Sequence, residues 1–333
     1  MVIRSLSTFK SFSRLASAVA LGASLIAAPS VAAEWPEHSI TLLMGFPAGS
    51  GVDVIGRNIQ EPLRQALGVP VVIDYRAGAG GNLASAVVAR AKPDGYTLLL
   101  GTAATHGINP AIYKDLPFDV EQDFTPIAPL VDVSNVLTIN PKVIDVKTIE
   151  EFIAEIKANP DKYNFASTGV GTGTQLAFEE FNARAGLKMV HVPYKGGSEA
   201  LQSVLRGDTC CIFNQVQTVL GQYKAGAVRL LGVSTAKRVD VVKEVPTIAE
   251  SGLPGFDSYI WFGLFGPKGM DPALVEKINA AANKALQEPA VAQRLIDMGN
   301  SIHLSSPEQF RQTVSDNKQK WAEVVKAAGL APQ

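Results

Sequence analysis

Residues 41–58 read TLLMGFPAGSGVDVIGRN, and this stretch decides how the chain folds. A short apolar run ends in a turn rich in Gly, Pro and Ser, and a helical pattern of apolar residues begins directly after the turn. Such a turn leaves backbone N–H groups without intrahelical partners, and the helix adds about half a positive charge at its N-terminus. Gly49 and Gly51 let a ligand approach the backbone closely because neither has a Cβ atom. The stretch therefore predicts a strand, a turn and a helix, with a place for an anion at the turn.

Two nucleotide-binding motifs do not fit this turn. A phosphate loop of the Walker type needs Lys directly after its last Gly, and here Val52 and Asp53 follow. A dinucleotide fingerprint that starts at Gly49 needs another Gly at position 54, which is Val54. The turn suits a small carboxylate or oxyanion. An ordinary strand-to-helix connection, whose amides are capped by Ser50 or Asp53, is the alternative.

Length and composition indicate a globular protein of about two domains. The chain has 333 residues, more than one typical core accommodates, and 47% of them are hydrophobic, so there is ample material to bury. The formal net charge is −1 and no basic stripe runs along the sequence. We therefore expect no nucleic-acid partner.

Residues 1–33 have the features of a secretory signal peptide. Three basic residues precede an apolar run over residues 15–28, and small residues lead to Ala33, the expected cleavage position. A membrane anchor is less favoured because the run is shorter than the roughly 20 residues that span a bilayer. Removal of this segment takes away three positive charges and no negative ones, so the formal net charge moves from −1 to −4. The sequence therefore predicts an exported protein.

Strands and helices alternate along the mature chain, which predicts an α/β fold with a mainly parallel sheet covered on both faces. A second unit of strand, Gly-rich turn and helix falls in residues 163–185. Residues 133–140 and 259–266 are expected to form strands that cross between two lobes. We predict lobe 1 over residues 34–134 and 258–333, and lobe 2 over residues 135–257. The two Gly-rich turns would then face each other across a cleft.

Further candidates for the cleft come from the ends of other strands. Thr102, Thr105 and His106 follow an apolar strand, and ligands of open α/β sheets bind at that carboxyl edge. His106 either donates to an anion or serves as a structural hydrogen bonder. Lys195 either neutralises an anion or stays solvated. Trp261 either lines the cleft or belongs to the core.

The sequence shows binding chemistry without an evident catalytic group. There is no Gly-x-Ser-x-Gly elbow and no His-Glu-x-x-His, and the four histidines are far apart, without metal-ligand spacing. We therefore predict no catalytic residue, no metal site and no cofactor. Two-lobed proteins of this kind close on a small solute by a hinge motion. A secreted enzyme whose residues meet only in three dimensions and a ligand sensor for a membrane partner remain the alternatives.

A set of motifs spread over the mature chain resembles one family. The motifs are GFPAG at 45–49, VD at 52–53, RAGAGGN at 76–82, PDGYTLL at 93–99, INP at 108–110, HVPYKG at 191–196 and WFGL at 261–264. In this order they are similar to the substrate-binding proteins of tripartite tricarboxylate transporters, the Bug or TctC family. The resemblance implies a two-lobed periplasmic-binding-protein fold of the Venus flytrap, type II-like kind, with two crossing strands. It also implies a periplasmic monomer that delivers a small carboxylate to the permease subunits of such a transporter.

The resemblance also implies how the ligand is held. Backbone amides and ordered water at the first-lobe turns would bind the carboxylate, and the second lobe would close over it with residues 167–172 and the region of Asn214. Many relatives have Asp where this chain has Asn214. An Asp there would suit an amino group, whereas a neutral Asn better tolerates a second carboxylate, because an unpaired buried contact between like charges is costly. We therefore expect a dicarboxylate, which could be aromatic, such as terephthalate, in preference to an amino acid.

These arguments together predict the ligand-binding residues. From lobe 1 they are Phe46, Ala48, Gly49, Ser50, Asp53, Asn82, Thr102, Thr105, His106 and Trp261, and from lobe 2 they are Ser167, Thr168, Gly169, Thr172 and Asn214. Asp53 has a special place among them, because a carboxylate at the helix end competes with the ligand for the same amides. We expect Asp53 to cap and fix the loop while the amides of residues 46–50 stay free for the ligand.

Overall fold

The structure, a computed structural model, describes residues 35–330. Its strands are β1 Ile40–Met44, β2 Val71–Tyr75, β3 Thr97–Thr102, β4 Phe124–Ile139, β5 Asn164–Ser167, β6 Val190–Pro193, β7 Cys211–Gln215, β8 Arg229–Val233, β9 Tyr259–Pro267 and β10 Asn300–Ile302. Its α-helices are α1 Gly51–Leu67, α2 Asn82–Ala89, α3 Asn109–Ile112, α4 Ile149–Ala158, α5 Gly173–Ala185, α6 Gly197–Arg206, α7 Val216–Lys224, α8 Pro272–Gln287, α9 Pro289–Asp297 and α10 Pro307–Ala327. The expected signal peptide lies outside the described residues.

Lobe 1 is built on a sheet whose first half is parallel. β1 lies between β2 and β3 and pairs with both in parallel register. β9 then pairs antiparallel with β3 on one side and with β4 on the other. β10 adds a short antiparallel pairing to β4. The expectation of a mainly parallel sheet is therefore corrected to a mixed sheet. The strands that alternate with helices pair in parallel, whereas β4, β9 and β10 pair antiparallel because the chain crosses between the lobes there.

Lobe 2 repeats the parallel arrangement and shares β4 with lobe 1. β5 pairs in parallel with β6 and β7, while β7 and β8 both pair antiparallel with β4. Residues of β4 up to Ser134 pair with β9 and β10, and residues from Asn135 pair with β7 and β8. This change of partners supports the lobe boundary at residue 134 that we propose.

The unit of β1, turn and α1 forms as the sequence predicts. The Ser50 hydroxyl caps α1 by accepting a hydrogen bond from the N–H of Asp53, and α1 ends at Gly68, which has a left-handed φ of 78°. α1 begins at Gly51, directly after its N-cap residue Ser50.

The lobes have separate cores joined by a small apolar cluster. Lobe 1 packs α1, α8 and α9 on one face of its sheet, and an aromatic cluster that includes Trp261 on the other. Lobe 2 has a core of phenylalanines that includes Phe178 and Phe213. Leu176 of α5 packs with Ile108 and Trp321 of lobe 1. No helix within residues 35–330 is long and apolar enough to cross a membrane.

Candidate functional site

A cavity of about 660 Å³ lies between the lobes, at the carboxyl ends of the parallel strands. Lobe 1 contributes the turn after β1 and the end of β3, and lobe 2 contributes the turns after β5, β6 and β7. The cavity is lined by eight of the predicted residues: Phe46, Ala48, Gly49, Ser50, Thr102, Thr168, Thr172 and Asn214. The two Gly-rich turns thus meet at one cavity.

Four helices begin at this cavity. Its walls include the first residues of α1, α5, α6 and α7, around Gly51, Gly173, Gly197 and Val216. The Ser50 side chain caps α1, but α5, α6 and α7 have no side-chain cap. Helix N-termini present free N–H groups and the positive end of the helix dipole. Their convergence makes the cavity a place for negative charge.

The charged residues around the cavity agree with that conclusion. Its lining contains no Asp and no Glu, and Lys195 is the only charged side chain among the described residues that line it. An anionic ligand therefore meets no carboxylate at the wall. The apolar part of the wall comes from side chains such as Phe46, Ile112, Ile260 and Phe262. The cavity can therefore hold a ligand with an anionic group and a hydrocarbon body.

Asp53 fixes the lobe 1 loop without lining the cavity. Its carboxylate accepts hydrogen bonds from the Gly49 N–H at 2.7 Å, the Tyr75 hydroxyl at 2.5 Å and Arg57 Nε at 2.8 Å. Burial raises the pKa of Asp53, but these hydrogen bonds and the charge of Arg57 outweigh it, and the pKa is lowered below its ordinary value. Asp53 therefore stays ionised and holds the loop in place.

This geometry corrects one part of the expectation about loop amides. Gly49 donates its N–H to Asp53, and Ser50 donates its N–H to the carbonyl of Pro47 at 3.2 Å. Within the described residues, the N–H groups of Phe46 and Ala48 make no hydrogen bond. The loop therefore offers two free amides from residues 46–50, because the carboxylate and the turn itself use the others.

The lobe 2 turn is held by its own hydroxyl groups. Thr174 Oγ1 accepts from the Thr168 N–H at 3.0 Å, and the Thr172 hydroxyl donates to the carbonyl of Gly169 at 2.7 Å. The Ser167 side chain is fully buried and bonds to Gly169 and to His191 Nε2. Ser167 and Gly169 therefore shape the turn, whereas Thr168 and Thr172 also line the cavity.

Asn214 lines the cavity, yet its amide is engaged inside lobe 2. Nδ2 donates to the carbonyl of Gly197 at 3.0 Å, and Oδ1 accepts from the N–H of Gln215 at 2.9 Å. Asn214 thus ties the end of β7 to the start of α6 and is only 1% exposed. Its neutrality matters because an Asp there would bring a negative charge to the α6 N-terminus.

His106 and Trp261 are buried in the lobe 1 core and do not line the cavity. The His106 ring stacks on Phe265 at 4.0 Å between centroids, and burial lowers its pKa to about 3. Trp261 packs edge-on against Phe310 at 5.4 Å and is 0% exposed. The expectation that these two rings face the ligand is corrected. The helical turn after β3 directs His106 onto Phe265, and Trp261 lies on the sheet face that packs against Phe310 of α10.

Two other predicted residues act one step behind the wall. Asn82 Oδ1 accepts from Asn109 Nδ2 at 2.6 Å, and it is Asn109 that lines the cavity. Thr105 bonds to the backbone of Thr102 at 3.0 Å and is 2% exposed, so it orients the end of β3. We infer that both residues position the wall without touching a ligand.

Sequence reasoning missed much of the lobe 2 wall. Gln215, Gln217 and Thr218 line the cavity because α7 begins there, and α7 was not predicted. Gly197, at the start of α6, had a signal in the Gly-Gly pair before the predicted helix. Among the described residues, no group of three or more His, Cys, Asp or Glu side chains is placed to hold a metal ion.

Comparisons with known proteins agree on one family. A family model described as the tripartite tricarboxylate transporter family receptor, TctC, matches residues 55–330. Protein BugT of Bordetella pertussis is 34% identical over 305 residues, which cover 91% of this chain and 93% of that protein. A solved R. palustris protein with adipate is 30% identical, covers 90% of this chain and 100% of that one, and superposes with a TM-score of 0.79. MatC from Rhodopseudomonas palustris with bound malate is 32% identical to this chain, and the match covers 87% of this chain and 99% of MatC with a TM-score of 0.74.

Proposed function

The chain belongs to the tripartite tricarboxylate transporter receptor family, and from this premise we propose that it captures a dicarboxylate and delivers it to the permease of such a transporter. The family consists of periplasmic solute-binding proteins, and this chain is a solute-binding receptor of that kind. The alternative of a secreted enzyme is therefore wrong. A role as a ligand sensor would use the same cavity and differ only in its membrane partner.

The observation that carries the proposal is the convergence of four helix N-termini on a cavity without acidic residues. Two of its sides can each take a carboxylate. In lobe 1 the donors are the free amides of Phe46 and Ala48 and the start of α1. In lobe 2 they are the uncapped starts of α5, α6 and α7, with Lys195 nearby. A ligand with a negative group at each end uses both sides at once.

Three further points support a dicarboxylate. Asn214 is neutral, so the α6 N-terminus keeps its attraction for an anion. Apolar side chains between the two polar sides suit a hydrocarbon spacer, aliphatic or aromatic as in terephthalate. Two structural relatives of 30% and 32% identity were solved with adipate and with malate, both of which are dicarboxylates.

A thermal-shift screen of the mature protein against mono-, di- and tricarboxylic acids tests the proposal, followed by calorimetry on the best ligand. We expect a dicarboxylate to bind with micromolar affinity, about −8 kcal/mol. Binding of aspartate or glutamate without binding of any dicarboxylate would contradict it. Recovery of the unchanged acid after long incubation checks that no chemistry occurs.

The remaining parts of the proposal concern location and assembly. We propose that residues 1–33 direct export and are removed, that the mature protein works in the periplasm as a monomer, and that the ligand-bound form docks on the permease. Mass spectrometry of the mature N-terminus tests the removal of residues 1–33. Light scattering of the purified protein tests the monomeric state.

A further inference from the structure

The hinge between the lobes contains buried amide side chains whose polar atoms have no partner. Asn135 begins the lobe 2 half of β4 and is 1% exposed, and neither Nδ2 nor Oδ1 makes a hydrogen bond within the described residues. Asn300 of β10 is 3% exposed and its two amide atoms are likewise unpartnered. Besides these four amide atoms, Gln217 Oε1 is also buried without a hydrogen-bond partner within the described residues.

Strand pairing places these side chains on one face of β4. Asn300 lies directly opposite Val133, and Gln215 lies directly opposite Asn135. Opposite residues of an antiparallel pair share a face, as do residues two apart on one strand. Gln217 joins them because its Nε2 donates to Gln215 Oε1 at 3.0 Å. The amides therefore point into the same region.

The same region is in contact with both lobes. β10 belongs to lobe 1, and a Cβ atom on Gly299, just before it, would lie 2.8 Å from Cβ of Val216 in lobe 2. On the cavity side, the Gln215 amide would lie 3.5 Å from a Cβ on Gly51, at the start of α1 in lobe 1. The amide cluster of Asn135, Asn300, Gln215 and Gln217 thus runs from the hinge to the floor of the cavity.

Buried amide groups are strongly disfavoured without hydrogen bonds. The unpartnered atoms are a mixture of donors, the two Nδ2 groups, and acceptors, the two Oδ1 atoms and Gln217 Oε1. A metal ion would be repelled by the Nδ2 groups, and an anion would be repelled by the oxygens. Water both donates and accepts, and buried water in proteins makes about three hydrogen bonds to such groups.

We propose that Asn135, Asn300 and Gln217 form a water-binding site at the hinge, and that its ordered water links the two lobes behind the ligand cavity. The site joins a side chain on β4, one on β10 and one on α7. Movement of lobe 2 against lobe 1 changes the distances among these elements, so the bound water helps to set the angle between the lobes.

A double-substitution experiment tests whether Asn135 and Asn300 share bound water. Asn135→Leu and Asn300→Leu each keep the side-chain size and remove the hydrogen-bonding atoms. If the two share water, each single variant lowers the melting temperature, and the double variant lowers it by clearly less than the sum, because the second loss adds little once the water is gone. Fully additive shifts would overturn the proposal.

Asn140→Leu is the matched control. Asn140 is 4% exposed and follows the same strand, but its Nδ2 already bonds to the carbonyls of Val204 and Leu205, away from the hinge. Combined with Asn135→Leu it should give an additive shift in melting temperature. If the control pair departed from additive melting-temperature shifts as much as Asn135→Leu with Asn300→Leu does, that result would also count against shared water.

A crystal structure of the unmodified mature protein at high resolution decides the matter if a variant does not fold. We expect water within hydrogen-bonding distance of both the Asn135 and the Asn300 amide. A direct bond between the two amides, or either side chain turned to bulk solvent, would overturn the proposal. Neither experiment uses a carboxylate, so its result is independent of the ligand proposed above.

Discussion

Replacement of Asp53 by Ala tests whether this residue fixes the lobe 1 loop without contacting the ligand. Asp53 accepts hydrogen bonds from Gly49, Tyr75 and Arg57, and its side chain is 6% exposed. Asp53→Ala removes all three acceptors and releases the Gly49 end of the loop. We therefore expect a loss of both stability and affinity from a residue that does not line the cavity.

The magnitude follows from the three bonds. A hydrogen bond to a charged group contributes about 1.5–3 kcal/mol, while an ion pair with an exposed partner contributes about 0–1 kcal/mol. Arg57 is 57% exposed, so its share is small, and the bonds from Gly49 and Tyr75 dominate. The expected loss is about 3–6 kcal/mol, which lowers the melting temperature by roughly 5–10 °C in a chain of this length.

The affinity should fall because the free amides of Phe46 and Ala48 lose their fixed direction. We expect the dissociation constant for adipate, used as the probe, to rise about tenfold, equivalent to about 1.4 kcal/mol. Thermal unfolding followed by circular dichroism and titration calorimetry measure the two effects. Tyr75→Phe, which removes one of the three bonds, should give a smaller change of the same kind in both.

Asp74→Ala is the control, since Asp74 neighbours Tyr75 on β2 and makes only an exposed ion pair with Arg76 at 3.0 Å. It should leave both quantities nearly unchanged. An Asp53→Ala variant with an unaltered melting temperature and no binding would refute the reasoning, because it would show that Asp53 contacts the ligand itself.

Three further predictions concern the cavity and the core. Gly49→Val and Gly68→Val should lower the melting temperature by similar amounts, because both glycines have a left-handed φ, 84° and 78°. Only Gly49 lines the cavity, so calorimetry should show strongly weakened adipate binding for Gly49→Val and unchanged binding for Gly68→Val. Lys195→Met should raise the dissociation constant for adipate several-fold more than that for a monocarboxylate of equal length, and Lys224→Met, in the last turn of α7, should change neither. His106→Phe should make the protein less sensitive to acid: burial lowers the pKa of His106 to about 3, so the stability from the neutral ring is complete above pH 6.5 and is lost as the pH falls. Denaturant unfolding should show that the free energy of unfolding falls by about 2 kcal/mol less in the variant than in the parent between pH 7 and pH 5. Equal falls in the two proteins would contradict the burial of a neutral ring.

The sequence was sufficient for most of the fold because its signals are local. The apolar run of β1, the Gly-rich turn and the amphipathic spacing of α1 are contiguous, so residues 41–67 indicate their own structure. The same holds for the unit around α5. β10 has three residues and forms only because β4 offers an edge, so no local pattern predicted it.

The site was predicted in outline and not in detail, because side-chain direction depends on distant partners. Thr102 ends β3 and His106 comes four residues later, yet the His106 ring turns into the core against Phe265 whereas Thr102 reaches the cavity. Asn214 looked like a ligand contact, but its amide is used by Gly197, 17 residues away in sequence. These outcomes depend on tertiary contacts that periodicity does not encode.

The position of β9 determines when lobe 1 can be completed during synthesis. β9 lies between β3 and β4 in the sheet, although more than 150 residues of chain separate it from β3. Until residues 259–267 have left the ribosome, the neighbouring edges of β3 and β4 have no strand between them, and contacts so distant in sequence form slowly. Lobe 1 of a nascent chain with this topology therefore cannot complete its sheet until late in translation, whereas the strands of lobe 2 are all available earlier.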